Sequence, residues 1–535
     1  MKVPCRRAAN SAQTAIFARL LISILAVTAS AFATDVVTYH NDIARTGQNL
    51  QETILTTSNV KSSKFGKLFT MPVDGVIDAE PLYLAGVSIA GGTHNVVYVV
   101  TENDSVYAFD ADAGTQLWKA SLLQSGETPS GDLGCSQISP QIGITSTPVI
   151  DRSSGPHGTI YVVSMSTKGA SYFQRIHALD VSTGQEEFGG PAVVQAKYPG
   201  HGENSQNGYV VFNPKQYAER QGLLLLNQVI YTGWTSHCDN PPYTGWLIGY
   251  SESTLAQTSV LDVTPNGSEG AIWQAGAGMA SDGADIYFLD ANGTFDTTLN
   301  SKGFPVNGDY GNAFMKVSTT NNQLAVADYF NMYNTVEESD SDEDLGSGGA
   351  LVLPAMTDAG GVTRYLAIGA GKDSNIYIVD RTNMGKFNPN KNEIYQEING
   401  ALSSGVWSMA AYFNGSVYFG PQGNNLLQFN FSQAKLSTSP SSRSSATFEY
   451  PGTTPSISAN GSSNGIVWAI EHSDPNDVLH AYQAGNLTKE LYNSNQASGG
   501  RDQFGQASHF GTPMIVNGKV YVGTTTNVTV FGLLK

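Results

Sequence analysis

The sequence predicts an all-β fold: a single eight-bladed β-propeller, with seven blades as the fallback count and an N-terminal strand closing the C-terminal blade. Composition is the first observation behind this. Only 14% of the 535 residues are charged, while 57 are glycine, a balance that favours tight turns and sheet over helix. The second is a stretch that spells out three strands and their turns. Val96-Val97-Tyr98-Val99-Val100 is a β-branched and aromatic run, Asn103-Asp104 is a turn, Ser105-Val106-Tyr107-Ala108-Phe109-Asp110 alternates, and Gly114 turns into a third strand ending on Trp118. The third is recurrence. Such a unit cannot bury both its faces alone, so it implies neighbours of the same kind stacked around it.

Taken in order, the units begin with a small residue, a proline and an apolar pair: Ala79-Glu80-Pro81-Leu82-Tyr83, Ser146-Thr147-Pro148-Val149-Ile150 and Gly511-Thr512-Pro513-Met514-Ile515. Proline at a strand entry costs no ladder bond. Each start is followed by a second strand of one type, Val97-Tyr98-Val99, Ile160-Tyr161-Val162 and Val520-Tyr521-Val522. Looser copies fill the middle: 223–231 with Trp246-Leu247-Ile248-Gly249-Tyr250; Ala271-Ile272-Trp273 with 285–289, 314–317 and 324–329; 349–353 with 365–368 and 375–380; 406–412 with 415–419; and 455–457 with 465–470 and 478–482. The last unit lacks a fourth strand. Phe65-Gly66-Lys67-Leu68-Phe69-Thr70-Met71-Pro72-Val73 supplies one, because it repeats the Gly-x-x-Leu-aromatic order of Gly114-Thr115-Gln116-Leu117-Trp118. Closing the ring that way removes its open edges. The Ser-rich stretch 436–445 reads as a loop between blades, and the sequons at Asn292, Asn414 and Asn460 read chiefly as turns.

The spacing Ala108-x-Asp110-x-x-x-Gly114-x-x-x-Trp118 resembles the tryptophan-docking pattern of the quinoprotein alcohol dehydrogenase-like propellers, the pyrroloquinoline quinone repeat family. Ala leaves room for a neighbouring indole, Asp accepts backbone N–H bonds in the turn, and Gly takes the dihedral the turn needs. The lead-in Tyr39-His40-Asn41-Asp42-x-x-Arg45-x-Gly47 resembles that family too. The resemblance implies a propeller that holds pyrroloquinoline quinone over its channel. A Trp would form the floor, adjacent cysteines the ceiling, and Glu and Asn would hold Ca²⁺ beside an Asp base. The chain departs from the pattern in having no adjacent Cys-Cys and no CxxCH for a c-type haem.

Lys2, Arg6, Arg7 and Arg19, an apolar run over 20–27 and the ending Ala31-Phe32-Ala33 read as a secretory signal, so residues 1–33 are expected to be cleaved and 34–535 to form the propeller. No stretch is long enough to span a bilayer as a helix. Four of the 28 Lys and Arg leave with the signal, so 24 face 45 Asp and Glu, a net charge of −21. That charge repels phosphate backbones and argues against nucleic acid as a partner. A secreted or periplasmic location suits one disulfide between the two remaining cysteines, Cys135 and Cys238.

Candidates for chemistry fall at the expected channel mouth. Acid–base candidates are His237, Asp239, Lys372, Asp373, Arg501 and His509, with His40, Asp42 and Glu80 as further polar residues there. Trp273, Trp407 and Arg45 are candidates for holding a cofactor, and Trp234 and Trp246 are alternative floors. The acidic run 337–344, followed by a Gly-rich stretch, offers Asp340, Asp342 and Asp344 as hard oxygen ligands for Ca²⁺, against a solvated acidic loop. No nucleophile elbow, zincin helix, P-loop or dinucleotide fingerprint occurs in a fitting context. Three functions stay open: a binding or scaffold propeller for a glycan, small molecule or protein; a dehydrogenase of alcohols or sugars using pyrroloquinoline quinone and Ca²⁺; and a cofactor-free polysaccharide lyase or hydrolase.

Overall fold

The computed structural model describes Met1 and residues 34–535. The leader expected over residues 1–33 lies outside the described residues except for Met1. Ten sheets are present among the described residues, and eight of them have four or more strands. The first contains Leu82–Ile89, Gly92–Thr101, Ser105–Asp110 and Gln116–Ser121, so the stretch that announced the fold is an antiparallel meander. The second is built on Val149–Asp151, Thr159–Lys168, Ser171–Asp180 and Ala192–Val193. The third is built on Leu224–Leu226, Val229–Ser236, Trp246–Ser251 and Gln257–Asp262.

The fourth sheet contains Ala280–Ser281, Asp285–Leu289, Phe314–Ser318 and Ala325–Phe330. The fifth contains Leu351–Val352, Leu366–Gly369, Ile376–Asp380 and Gln396–Ile398. The sixth contains Ala411–Phe413, Ser416–Phe419, Asn424–Ser432 and Ser442–Phe448, and the seventh Ser456–Asn460, Ser463–Glu471, Val478–Gln483 and Asn486–Asn493. The eighth joins Met514–Val516, Lys519–Gly523 and Asn527–Leu533 to the distant Phe65–Pro72, which pairs antiparallel with Asn527–Leu533.

The Ser-rich stretch differs from expectation, since Ser442–Phe448 is a strand and not a loop. Its serines are satisfied locally: Ser442 Oγ donates to Gln428 Oε1 at 2.8 Å, and Leu426 N donates to Ser444 Oγ at 2.9 Å. Hydroxyls tied down in this way let a mostly polar sequence hold a strand whose one fully buried apolar side chain is Phe448.

Successive sheets pack face to face, and the docking motif shows how. Asp110 Oδ1 accepts the backbone N–H groups of Asp112 (2.8 Å) and Ala113 (2.7 Å), and Gly114 takes φ +72°. Trp118 Nε1 donates to Val181 O at 3.0 Å in the next sheet, and its ring lies over Gly184, where a Cβ would come within 2.7 Å of it. Phe69, on the strand from the N-terminus, covers Gly114 in the same way, again with a Cβ-to-ring distance of 2.7 Å. The aromatic of one sheet thus docks on the turn glycine of the next.

The lead-in segment 36–49 runs past the innermost strands of all eight sheets. Val36 exchanges two 2.8 Å backbone bonds with Tyr83, and Val37 O accepts from Ile150 N at 2.8 Å. Ile43 O accepts from Ser281 N (2.6 Å), Ala44 O from Val352 N (3.0 Å), Thr46 O from Tyr412 N (2.8 Å) and Gly47 O from Ile457 N (2.7 Å). Asn49 Nδ2 donates to Ile515 O at 3.0 Å, and Arg45 Nη2 reaches Leu223 O at 3.1 Å. The unpaired inner edge of each sheet therefore finds partners on this belt.

Candidate functional site

The loop that leads into each innermost strand carries side chains to one face of the assembly. Those of the second, fourth, fifth, sixth and seventh sheets line a cavity of about 340 Å³: Gln137, Trp273, Asp344 and Ser347, Trp407 and Tyr450, with Cys238 and Asp239 from the third sheet, Asn292 from the fourth and Lys372 from the fifth. That volume suits a small molecule.

The chemistry of the cavity centres on Asp344 and Lys372. Asp344 is 1% exposed, and Lys372 Nζ lies 2.8 Å from its Oδ1 while also pairing with Asp342. Burial raises the Asp344 carboxyl above its ordinary value, against the pull of Lys372. The Lys372 ammonium is also held above its ordinary value, because Asp344 and Asp342 outweigh the cost of burying it. Asn292, 8% exposed, donates to Asp342 Oδ1 at 2.7 Å and leaves its own Oδ1 buried without a partner. Asp239 accepts from Tyr243 OH at 3.1 Å. Trp273 and Trp407 supply flat walls. The Arg220 guanidinium stacks on Trp273, 4.4 Å from the ring, with Phe510 on Arg220 at 4.3 Å.

A second cavity of about 420 Å³ adjoins the first, lined by Asp78, Glu449, His472, Asp477 and His509 among others. Gln137 and Tyr450 border both cavities, and Tyr450 OH donates to Gln137 Oε1 at 3.1 Å, so this pair forms a bar between them. His472 Nδ1 is 2.9 Å from the buried Asp477 Oδ2, and the His509 ring stands edge-on to His472 at 5.8 Å. Burial pushes the His509 imidazole below its ordinary value.

Of the residues singled out in the sequence, Asp239, Trp273, Asp342, Asp344, Lys372 and Trp407 come together in the first cavity, and His509 lies in the second. The remaining candidates lie elsewhere. Arg501 is bound to Asp502 and to the carbonyls of Ser62 and Phe65, where it clamps the strand that enters from the N-terminus. Arg45 is fully buried, with Nε on Met279 O (2.8 Å), Nη1 on Thr38 Oγ1 (2.7 Å) and Tyr39 O (2.8 Å) and Nη2 on Leu223 O (3.1 Å), so its guanidinium is spent on the belt and the neighbouring sheets. His40 is held between the carbonyls of Arg45 and Pro455, both at 2.9 Å. Asp42 accepts from Thr46 N at 3.0 Å within the same turn, and Glu80 accepts from His40 N at 2.7 Å.

His237 borders a small recess beneath the first cavity, and burial pushes it down to about 4. Asp373 binds Tyr377 OH (2.5 Å) and Asn375 Nδ2 (2.8 Å) and is pushed up to about 6 by burial. Asp340 ends a short helix, exposed and outside the cavity lining. Trp234 and Trp246 are buried core residues, packed on Phe212 at 4.8 and 5.9 Å. Cys135 and Cys238 are disulfide-bonded across 103 residues, with Cα atoms 5.4 Å apart. Sequence reasoning missed Asn292, Gln137, Tyr450, Arg220 and His472. Asn292 sits in a sequon read as a turn, and the others had only their position ahead of or beside a strand as a signal.

No protein-family model matches the chain, and no curated protein matches its sequence. Solved structures do match in shape. Quinohemoprotein alcohol dehydrogenase from Comamonas testosteroni superposes with a TM-score of 0.61 at 14% identity, over 93% of this chain and 80% of that one. Quinohemoprotein alcohol dehydrogenase ADHIIG from Pseudomonas putida HK5 gives 0.58 at 13% identity, with the same coverage of 93% and 80%. A europium-containing methanol dehydrogenase gives 0.58 at 12% identity, over 93% of this chain and 98% of that one. The chain shares the all-β, propeller-like fold of these dehydrogenases.

Proposed function

We propose that this chain is an exported eight-bladed propeller, closed by Phe65–Pro72, that binds a small polar molecule in the cavity between Trp273 and Trp407. The observation that carries the reading is the buried Asn292 Oδ1, an acceptor without a partner on a residue that lines the cavity with the Asp344–Lys372 pair. A buried polar atom left unpaired in the free protein is costly, and a ligand hydroxyl or ammonium would satisfy it. Flat aromatic walls beside carboxylates suit sugars and other polyols. Titrating the purified chain with a panel of sugars and polyols, read by tryptophan fluorescence and thermal shift, tests this: a saturable response supports it, and its absence from the whole panel overturns it.

A second reading, a dehydrogenase of alcohols or sugars, is supported by the likeness in fold and by Trp273, which offers a flat floor to pyrroloquinoline quinone. Asp239, Asp342 and Asp344 line the same cavity, but among the described residues no three carboxylates converge as a metal site. The residues present do not fit the quinone with its cation: Lys372 Nζ already bridges Asp342 and Asp344, and a tricarboxylate alone would face three aspartates and one lysine. Adding Ca²⁺ and pyrroloquinoline quinone with an electron-accepting dye separates the readings: dye reduction by an alcohol or sugar selects the dehydrogenase, and ligand binding without reduction selects the binding protein.

A further inference from the structure

The walls of the first cavity are one-sided in charge. The lining has three carboxylates, Asp239, Asp342 and Asp344, against the one ammonium of Lys372, with the Arg220 guanidinium behind Trp273, so it carries surplus negative charge. Among the buried side-chain atoms left without a hydrogen-bond partner on the lining residues is the acceptor Asn292 Oδ1, on a residue 8% exposed, beside the donor Trp273 Nε1. Three aromatic side chains, Trp273, Trp407 and Tyr450, stand around the same space, with Trp407 and Tyr450 edge to face at 5.6 Å. The protein already places one ammonium here: Lys372 Nζ bridges Asp342 and Asp344.

Carboxylates with aromatic faces recognise ammonium groups through charge and ring quadrupole together. Resting on the binding role proposed above, we infer that the cavity selects a ligand bearing a protonated amine, such as an amino sugar or another hydroxylated amine. The ammonium would sit against Trp407 and Tyr450 and donate to Asn292 Oδ1 and Asp239. An anionic ligand would meet three carboxylates and be refused.

Matched probes test this: glucosamine, glucose, N-acetylglucosamine and glucuronate share one ring and differ at the charged group. Calorimetric titration below pH 7, where the amine is protonated, is expected to give glucosamine an affinity at least about tenfold above glucose and N-acetylglucosamine, with no binding of glucuronate. Raising the salt concentration should weaken glucosamine binding more than glucose binding. Asp239→Asn should erase the preference while leaving residual glucose binding and an unchanged circular dichroism spectrum. Glucose or N-acetylglucosamine binding as tightly as glucosamine, or glucuronate binding best, would overturn the amine selectivity and leave the binding role standing. If none of the four binds and the wider sugar and polyol panel is also silent, both fall; if none binds but another polyol does, only the amine selectivity falls.

Discussion

Asp344 and Lys372 form the most consequential pair at the residue scale, because neither tolerates losing the other. Lys372→Met leaves a buried carboxylate unpaired and should destabilise the chain by about 3 kcal/mol or more in urea unfolding. Adding Asp344→Asn should recover most of that loss, because the orphaned charge is then gone. Gly184 is fixed by two constraints, its φ of +67° and the Trp118 ring over its Cα. Gly184→Ala should cost roughly 1–3 kcal/mol by forcing the indole away, measured the same way.

Glu80 sets a pH dependence. Burial pushes it up to about 8 from an ordinary 4.5. The native chain then keeps a proton that the unfolded chain releases, so this contribution is full below about pH 4.5 and is lost as pH rises through 8. Glu80→Gln should flatten the fall in melting temperature over that window. His237 acts in the opposite sense: held down to about 4 from 6.5, its contribution is present above 6.5 and lost as pH falls towards 4.

Among the elements, the belt over 36–49 and the disulfide do different work. The belt supplies hydrogen-bond partners to inner edges that no neighbouring strand covers, and Arg45 ties its turn to the third and fourth sheets through Leu223 O and Met279 O. Arg45→Leu leaves those carbonyls and Thr38 unpaired in the interior, and Arg45→Lys cannot span them. Both should lower the melting temperature, the leucine variant the more. The disulfide closes a loop of about a hundred residues and pins the His237–Asp239 turn at the cavity wall. Cys135→Ser with Cys238→Ser should cost roughly 4–5 kcal/mol on the chain-entropy account, and should weaken ligand binding through the loosened Asp239.

The strand grammar of the whole molecule was legible in the sequence because turn chemistry is local: Asp110, Gly114 and Trp118 announce a meander within ten residues of one another. The strand Phe65–Pro72 was legible through one repeated phrase, Gly-x-x-Leu-aromatic, and the structure gives Phe69 the same docking place that Trp118 has. The belt was illegible, since its partners are backbone groups spread from Val36's partner Tyr83 to Asn49's partner Ile515, and backbone leaves no trace in sequence. The site was half legible. Asp342 and Asp344 were visible as candidate cation ligands, Lys372 as an acid–base candidate and both tryptophans as candidates for holding a cofactor, but as separate features. Their convergence depends on loops from different sheets reaching one place, which only the tertiary fold decides. Arg45 and Arg501 misled for the converse reason: a cation near a turn reads alike whether its donors meet a ligand or a carbonyl.

The central claim is that the space between Trp273 and Trp407 is a ligand site, and tryptophan fluorescence reaches it directly. Of the six tryptophans, these two line the cavity. Titrating the wild-type chain with the sugar, polyol and amine probes should give a saturable change in emission, and Trp273→Phe with Trp407→Phe should abolish it while the spectrum of the remaining tryptophans and the melting temperature stay close to wild type. A change that persists in the double variant, or no saturable change with any probe, would contradict the account.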